Sequence, residues 1–535
     1  MRTLRRLPSA VIVLLGLVAG CYDLDVANPY DNETLLDPDS AVAGIARGFH
    51  DWFEANYDYE GAGVALSNVA FQHTEPWAHF GSEVYARIPR VAFVNVVGQG
   101  DYAGMTRSWS LSYRALKDAA DGLRALDGQG AAATLTADEL GAARAFARFV
   151  QGLATATLAV FYAQGYVLDE TTNPEVKQTP VAYGALMTKA LAYLDECARL
   201  SAGAAWTLPE AWMRASLTGP ELARVARSMK ARYRAAGART PAERDALDWS
   251  AIMADVDAGI TADLVLDMDD QGGWSNDVLG YGTYSGWSQL GFFIFGMADQ
   301  SGSYQLWDAE PVGPWPTQGK SHTIDGKPML IVTPDLRFPR GSTVEAQRLA
   351  PGRYFRVNRE GDETGNTWAR PDRGTWRWSW YKHIRGEEYW AGVYVQPEIR
   401  LSEMRLLKAE GLYRTGSWAA ATAIVNETRV EAGLNPTDAS GTNTSCVPRL
   451  PDGRCGDILE MLKWEKRMEN TFKGPFGNLW YFDGRGWGDL WIGSILHLPI
   501  PCEEATVAGL VCATYGGVGG AGAAARSLYR WNGEG

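Results

Sequence analysis

At 535 residues the chain has room for a large core, and its length suits roughly two to four domain-sized units that need not fold apart, so one compact body is expected. Its formal net charge is −13, and the first 20 residues hold three arginines and no acid, so a chain that loses them is three units more acidic. That balance argues against nucleic acid as a partner and against electrostatic adhesion to anionic lipid.

The chain opens on an address. Arg2, Arg5 and Arg6 form a basic stretch, residues 11–18 an apolar run, and Val18-Ala19-Gly20-Cys21 ends in the small residues a signal peptidase needs. This quartet resembles a bacterial lipobox, in which the Cys21 thiol is acylated and becomes the first residue of the mature protein. The run is too short to span a bilayer, which takes roughly 20 apolar residues. Several acyl chains, at about 0.8 kcal/mol per buried methylene, hold a protein firmly on a membrane without crossing it. Residues 1–20 are therefore read as a lipoprotein signal peptide that is removed, and 21–38 as a lipidated polar tether containing Tyr22-Asp23-Leu24-Asp25-Val26-Ala27-Asn28-Pro29.

A body is expected over 39–535, in three compositional zones: 39–260, 261–397 and 398–535. In the first, helical periodicity predicts helices over 41–57, 105–126, 137–165, 182–200, 220–236 and 241–260. Thr136 stands three residues before Glu139 at capping-box spacing, Pro241 follows Thr240 as a first helical residue, and Gly237 closes a helical run. Antiparallel helix pairs with short loops are the expected organisation. Between about 264 and 396 Trp, Tyr, Gly and Pro are dense, and Trp376-Arg377-Trp378-Ser379-Trp380 alternates as a packed strand face would. Helices return over 398–473. There 398–414 and 418–430, broken by Thr415-Gly416-Ser417 and closed by Gly433, form a hairpin like a tetratricopeptide repeat.

Of six cysteines, Cys21 belongs to the anchor, leaving an odd number for the body. Cys446 and Cys455 flank one short loop and Cys502 and Cys512 another, so two local disulfides suit an exported protein. Cys197, at helical spacing from Ala190 and Leu194, reads as a buried core thiol.

Several segments carry a family likeness. They are Leu24-Asp25-Val26-Ala27-Asn28-Pro29; Ala142-Ala143-Arg144-Ala145-Phe146 leading to Tyr162 and Gly165-Tyr166; Ser228-Met229-Lys230-Ala231-Arg232-Tyr233; Glu403-Met404-Arg405-Leu406-Leu407-Lys408-Ala409-Glu410; Trp464-Glu465-Lys466-Arg467-Met468-Glu469; Trp480-Tyr481-Phe482-Asp483 with Arg485; and His497-Leu498-Pro499-Ile500-Pro501. In this order and spacing they resemble the SusD/RagB family, surface lipoproteins that accompany TonB-dependent outer-membrane transporters. The resemblance spans nearly the whole mature chain. It implies a mainly α, SusD-like scaffold of tetratricopeptide-like helix pairs with a loop-rich aromatic region, an outer-membrane location exposed at the cell surface, and capture of oligosaccharide or peptide nutrients for a SusC-like transporter. Lys473-Gly474-Pro475-Phe476-Gly477-Asn478 departs from the family's usual run, so ligand class does not transfer with it.

Binding also has a physical basis. Sugar C–H faces stack on indole and phenol rings while hydroxyls need amide or carboxylate partners. The chain has 21 Trp and 23 Tyr. Candidate ligand contacts are Asn68, Gln72, Trp77, Trp274, Tyr281, Tyr284, Trp287, Tyr304, Trp307 and Trp315.

Catalytic and metal signatures are lacking: no HExxH, GxSxG or P-loop occurs, and Gly484-Arg485-Gly486-Trp487-Gly488 reads as a turn. His73, Glu75 and His79 lack a further ligand at helical spacing, and Asp267, Asp269 and Asp270 lack the glycine and terminal Glu of a calcium loop. No enzyme activity, metal or cofactor is expected. The run Glu403, Arg405, Lys408, Glu410, Arg414 reads mostly as a solvated face, and Glu465, Arg467, Glu469, Asp483 and Arg485 as structural pairs. Two rival readings are an exported all-α glycoside hydrolase and a helical-repeat surface scaffold.

Overall fold

The computed structural model describes residues 38–525 except 74–84, 86, 99, 129–133, 174, 270–272, 284–288, 310–322, 325–326, 358–378, 380, 386–392 and 475–476. Cys21 and the Trp376/Trp378/Trp380 stripe therefore lie outside the described residues. The architecture is mainly α, as expected. Helices α1 (Pro38–Tyr57), α2 (Gly63–Val69), α3 (Gly100–Asp127), α4 (Ala137–Phe161), α5 (Tyr183–Ser201) and α6 (Gly219–Ala236) form the first part. They pack as a chain of neighbours, α1 on α3, α3 on α4, α4 on α5 and α5 on α6. From Phe149 to Phe161 α4 is buried on every face, which makes it the axis of the group. Its polar side chains are satisfied inside: Thr157 accepts from the Trp52 indole at 3.0 Å and lies 3.1 Å from the Tyr233 hydroxyl.

The starts of these helices follow local chemistry. Thr136 accepts from the Glu139 amide while Glu139 accepts from the Thr136 amide, a complete capping box. Thr218 and Glu221 repeat the arrangement at α6, a signal present in the sequence and not singled out there. The single helix expected over 241–260 is instead two, α7 (Pro241–Asp245) and α8 (Trp249–Asp257). Asp248 causes the break, because its carboxylate accepts from the Ala251 amide at 2.9 Å and starts a new helix.

The middle zone holds short elements. Strand β1 (Leu264–Asp269) pairs antiparallel with β4 (Val393–Ile399), which delivers the chain to α10; β2 (Phe355–Val357) pairs with β3 (Tyr381–His383), and α9 is Asp277–Thr283. The C-terminal part contains α10 (Leu401–Arg414), α11 (Trp418–Glu431), α12 (Ile458–Glu469), α13 (Leu479–Trp487) and α14 (Cys502–Ala508). Helices α10 and α11 pack as the expected hairpin with α12 against them, and α8 joins them to the first part through α6. Disulfides Cys446–Cys455 and Cys502–Cys512 form, and Cys197 is a buried free thiol whose pKa burial pushes up to about 12.

Two readings change. Gly484 to Gly486 are helical within α13, with Gly488 ending the helix in the left-handed region; at Gly486 a Cβ would come within 2.8 Å of Arg244 Cδ, so the glycine makes room for a guanidinium. Glu403 and Glu410 are not solvated but buried. Arg232 binds both Glu398 (2.8 Å) and Glu403 (2.7 Å). Arg244 binds Glu410 (2.6 Å) and Asp483 (2.8 Å), while Lys466 reaches Asp483 at 2.9 Å and the Trp487 indole donates to Glu410 at 2.9 Å. Arg337 binds Asp335 and Glu465, both at 2.8 Å, and Arg467 binds Asp489 at 2.6 Å. In the second group Glu465, Arg467, Glu469 and Asp483 are therefore in structural ion pairs, while Arg485 binds backbone carbonyls instead.

Burial raises the pKa of Glu410, but Arg244, Lys466 and Arg414 outweigh it and hold the carboxyl below its ordinary range. A carboxyl lowered on folding contributes stability above its unfolded pKa of about 4.3 and loses that contribution as pH falls toward its folded value. Glu410→Gln should cost about 3–5 kcal/mol at pH 7, because it leaves Arg244 short of charge. Urea titration should show a lower midpoint, with the gap from the parent protein narrowing below about pH 4.

Candidate functional site

Six of the ten candidate ligand residues are described, and all six are buried. The Trp274 ring lies 4.7 Å from His50 and 5.1 Å from Phe53; Tyr281 joins Val64, Val278, Leu279 and Phe472 in a small core. The Tyr304 hydroxyl donates to the Phe293 carbonyl at 2.7 Å, and Trp307 packs on Phe292 and Phe293. Gln72 bridges backbone, accepting from the Phe472 amide and donating to the Gly477 carbonyl, and Asn68 donates to the Val64 carbonyl at 3.4 Å. In this structure the four aromatics pack within the core, where wide apolar faces gain most from leaving water, and Asn68 and Gln72 bond to backbone. Trp77, Tyr284, Trp287 and Trp315 lie outside the described residues.

An accessible aromatic surface occurs elsewhere. A cleft of about 400 Å³ is bounded by Trp109 and Tyr113 of α3, by Tyr166 and Leu168 just after α4, and by Glu504 and Val507 of α14, with Lys177 and Gln178 at its edge. The rings form one cluster: Trp109 lies 4.7 Å from Tyr113 and 6.3 Å from Tyr166, and Tyr113 lies 6.0 Å from Tyr166. Trp109 is buried, while Tyr113 and Tyr166 are half-buried. Burial, with Glu504 nearby, raises the Tyr166 pKa, so the phenol stays a neutral donor in neutral water.

Sequence builds this geometry locally. The Tyr166 amide donates to the Tyr113 hydroxyl at 2.5 Å, locking the two tyrosines together. A Cβ on Gly165 would stand 2.8 Å from that hydroxyl, so a larger residue would have to push the phenol aside. Gln164 and Gly165 pair antiparallel with Val181 and Ala182, which fixes the short strand immediately before Tyr166.

The opposite wall is the stapled segment around α14. Buried Asn95 donates to the Ile500 carbonyl at 3.1 Å and the Ala513 carbonyl at 3.0 Å, and accepts from the Cys502 amide at 3.1 Å. With the Cys502–Cys512 disulfide, this pins both ends of the wall. A second cleft, about 160 Å³, lies on the same helix between Gln164, Ile500, Ala505, Val511 and Tyr515. Val507 is 79% exposed and Val511 88%, so the rim is apolar where it meets water.

Aromatic faces with an amide, an ammonium and a carboxylate around them can bind a polyhydroxylated or peptidic ligand by stacking and hydrogen bonding. Glu504 is the one carboxylate among the described lining residues of the larger cleft. Elsewhere, His50, Asp51 and Glu54 bring ligand atoms within 4.8 Å of one another, but Asp51 is held by Arg114 Nε at 2.6 Å. His73 is buried 2.7 Å from the Ser67 hydroxyl. Sequence reasoning missed the cleft, although Tyr162 and Gly165-Tyr166 lay within a segment already singled out.

No family model matches the sequence, and no curated protein matches it. Solved structures do. A SusD superfamily protein from Bacteroides fragilis aligns with a TM-score of 0.50 at 13% identity, over 86% of this chain and 97% of that one. One from Bacteroides vulgatus aligns with a TM-score of 0.49 at 13% identity, over 85% of this chain and 88% of that one. The first of these alignments makes the fold SusD-like. Among the described residues no helix is long and apolar enough to cross a membrane.

Replacing both Cys502 and Cys512 by serine should lower stability by about 2–3 kcal/mol, the amount expected for opening so short a loop. Differential scanning calorimetry should show the drop, and native-state hydrogen exchange should localise faster exchange to α14 and the segment after it.

Proposed function

We propose that this SusD-fold chain is a surface lipoprotein that captures an oligosaccharide or peptide and delivers it to a TonB-dependent outer-membrane transporter. Residues 1–20 are its removed signal, 21–38 its lipidated tether, and 39–535 its binding body. The observation that carries this reading is the cleft of Trp109, Tyr113 and Tyr166, an aromatic platform fringed by Lys177, Gln178 and Glu504. The lipobox ending at Cys21 and the SusD-like fold support the location and partner.

Binding and release constitute the whole mechanism. Ring faces of Tyr166 and Tyr113 take the apolar side of the ligand, and the fringe satisfies its polar groups at the rim, where exchange with water is easy. Hydrolysis of a glycosidic bond ordinarily uses two carboxylates flanking it, and the described lining offers Glu504 alone, which favours capture over turnover.

Isothermal calorimetry of residues 22–535 against neutral oligosaccharides and short peptides should find saturable binding with the ligand recovered intact. Tyr166→Ala should weaken it by about tenfold, equivalent to about 1.4 kcal/mol, while circular dichroism stays unchanged. Absence of binding across the panel, or release of products, would overturn the reading. Full-length protein extracted from its native membrane should co-purify with a large outer-membrane barrel.

A further inference from the structure

Five arginines stand among the largest fully buried side chains: Arg239, Arg244, Arg337, Arg429 and Arg485. A guanidinium taken from water needs a compensating charge. Arg244 and Arg337 each hold two carboxylates, and Arg429 lies 3.5 Å from Glu465. Among the described residues Arg239 and Arg485 form no ion pair with a carboxylate.

Arg239 Nη2 donates to the carbonyls of Ala159 (2.8 Å) and Tyr162 (2.7 Å), and its guanidinium lies 3.5 Å over the Tyr183 ring; Nε and Nη1 have no hydrogen-bond partner. Arg485 donates to the carbonyls of Leu496 (2.6 Å) and Ala236 (2.8 Å), and its Nε is unpartnered. The nearby Glu243 carboxylate accepts from the Tyr183 hydroxyl and the Arg239 backbone amide and acts on both guanidiniums through space rather than by direct pairing. Carbonyl oxygens satisfy some donors without neutralising either charge. Burial, reinforced by the neighbouring Arg485, lowers the Arg239 pKa to about 9, and burial with the same two cations pushes His497 down to about 3.

Both guanidiniums, unpaired directly with any described carboxylate, line one cavity of about 290 Å³. Its remaining wall is mostly apolar, with Pro241, Ala242, Leu490, Leu496, Ala523 and Ala524. That wall is fixed: the Gly493 amide donates to the Ala524 carbonyl and the Ala524 amide to the Ser494 carbonyl, both at 2.8 Å. A positive end and an apolar body define the complementary ligand. We propose that this cavity binds a small aliphatic carboxylate, its anionic group set against Arg239 and Arg485 and its chain against the alanine and leucine wall. A free short-chain acid and the C-terminus of a small apolar peptide share this chemistry; a uronic acid has the charge without the apolar body. The site shares no lining residue with the Trp109 cleft, and its failure would leave the capture reading standing.

Sodium hexanoate, hexanol, N-acetyl-Ala-Ala and sodium glucuronate should be titrated into residues 22–535 by calorimetry, with sodium chloride holding ionic strength constant. Hexanoate or the dipeptide acid should bind saturably and at least about tenfold more tightly than hexanol or glucuronate. Which of the two binds identifies the source. Arg239→Gln should remove that preference. Should this variant fail to fold, Ala242→Trp fills the exposed edge of the cavity with both guanidiniums in place and should weaken binding by at least about tenfold. Absent binding, hexanol binding as tightly as hexanoate, glucuronate binding best, or unchanged affinity in Ala242→Trp would each overturn the proposal.

Discussion

The buried ion-pair system is the constraint on which the C-terminal half depends. Arg232, Arg244 and Arg337 draw carboxylates from β4, α10, α12 and α13, elements far apart in the chain, into contacts of 2.6–2.8 Å. Such pairs contribute little net stability over a well-packed apolar core, since desolvation offsets most of the attraction. Their effect is selective. A helix that shifted by one turn would strand a cation without its acid, so alternatives to the native register are costly. The indoles of Trp464 and Trp487 donate into the same groups, extending this control to the aromatic packing around them.

Much of the helical scaffold was legible because periodicity and caps are local signals. Thr136 with Glu139 marked the start of α4, and the α10–α11 hairpin was evident from its Thr-Gly-Ser break. Less legible was whatever depends on which face a residue turns. Glu403 and Glu410 share a charge-rich helix with exposed neighbours, and sequence does not distinguish a carboxylate awaiting a buried arginine from one in water. The interruption at Asp248 was hidden by an apolar pattern that continues on both sides of it.

The Trp109 cleft was obscured for a related reason. An aromatic residue looks the same in sequence whether it fills a core or floors a groove, and the described aromatics of the loop-rich zone, Trp274, Tyr281, Tyr304 and Trp307, fill the core. The cleft draws instead on α3, the turn after α4 and α14, with more than three hundred residues between its first and last walls. Only Gly165 betrays it locally, as a glycine close against the Tyr113 hydroxyl.

Asn95 has a thermodynamic consequence. Because one buried amide and one disulfide pin the α14 wall, a ligand captured as proposed would meet a surface already in its final shape. Little ordering entropy is then lost on association, so modest contact area can yield useful affinity. Encounter would then not await a rearrangement of that wall, and the lifetime of such a complex would be set by its stacking contacts.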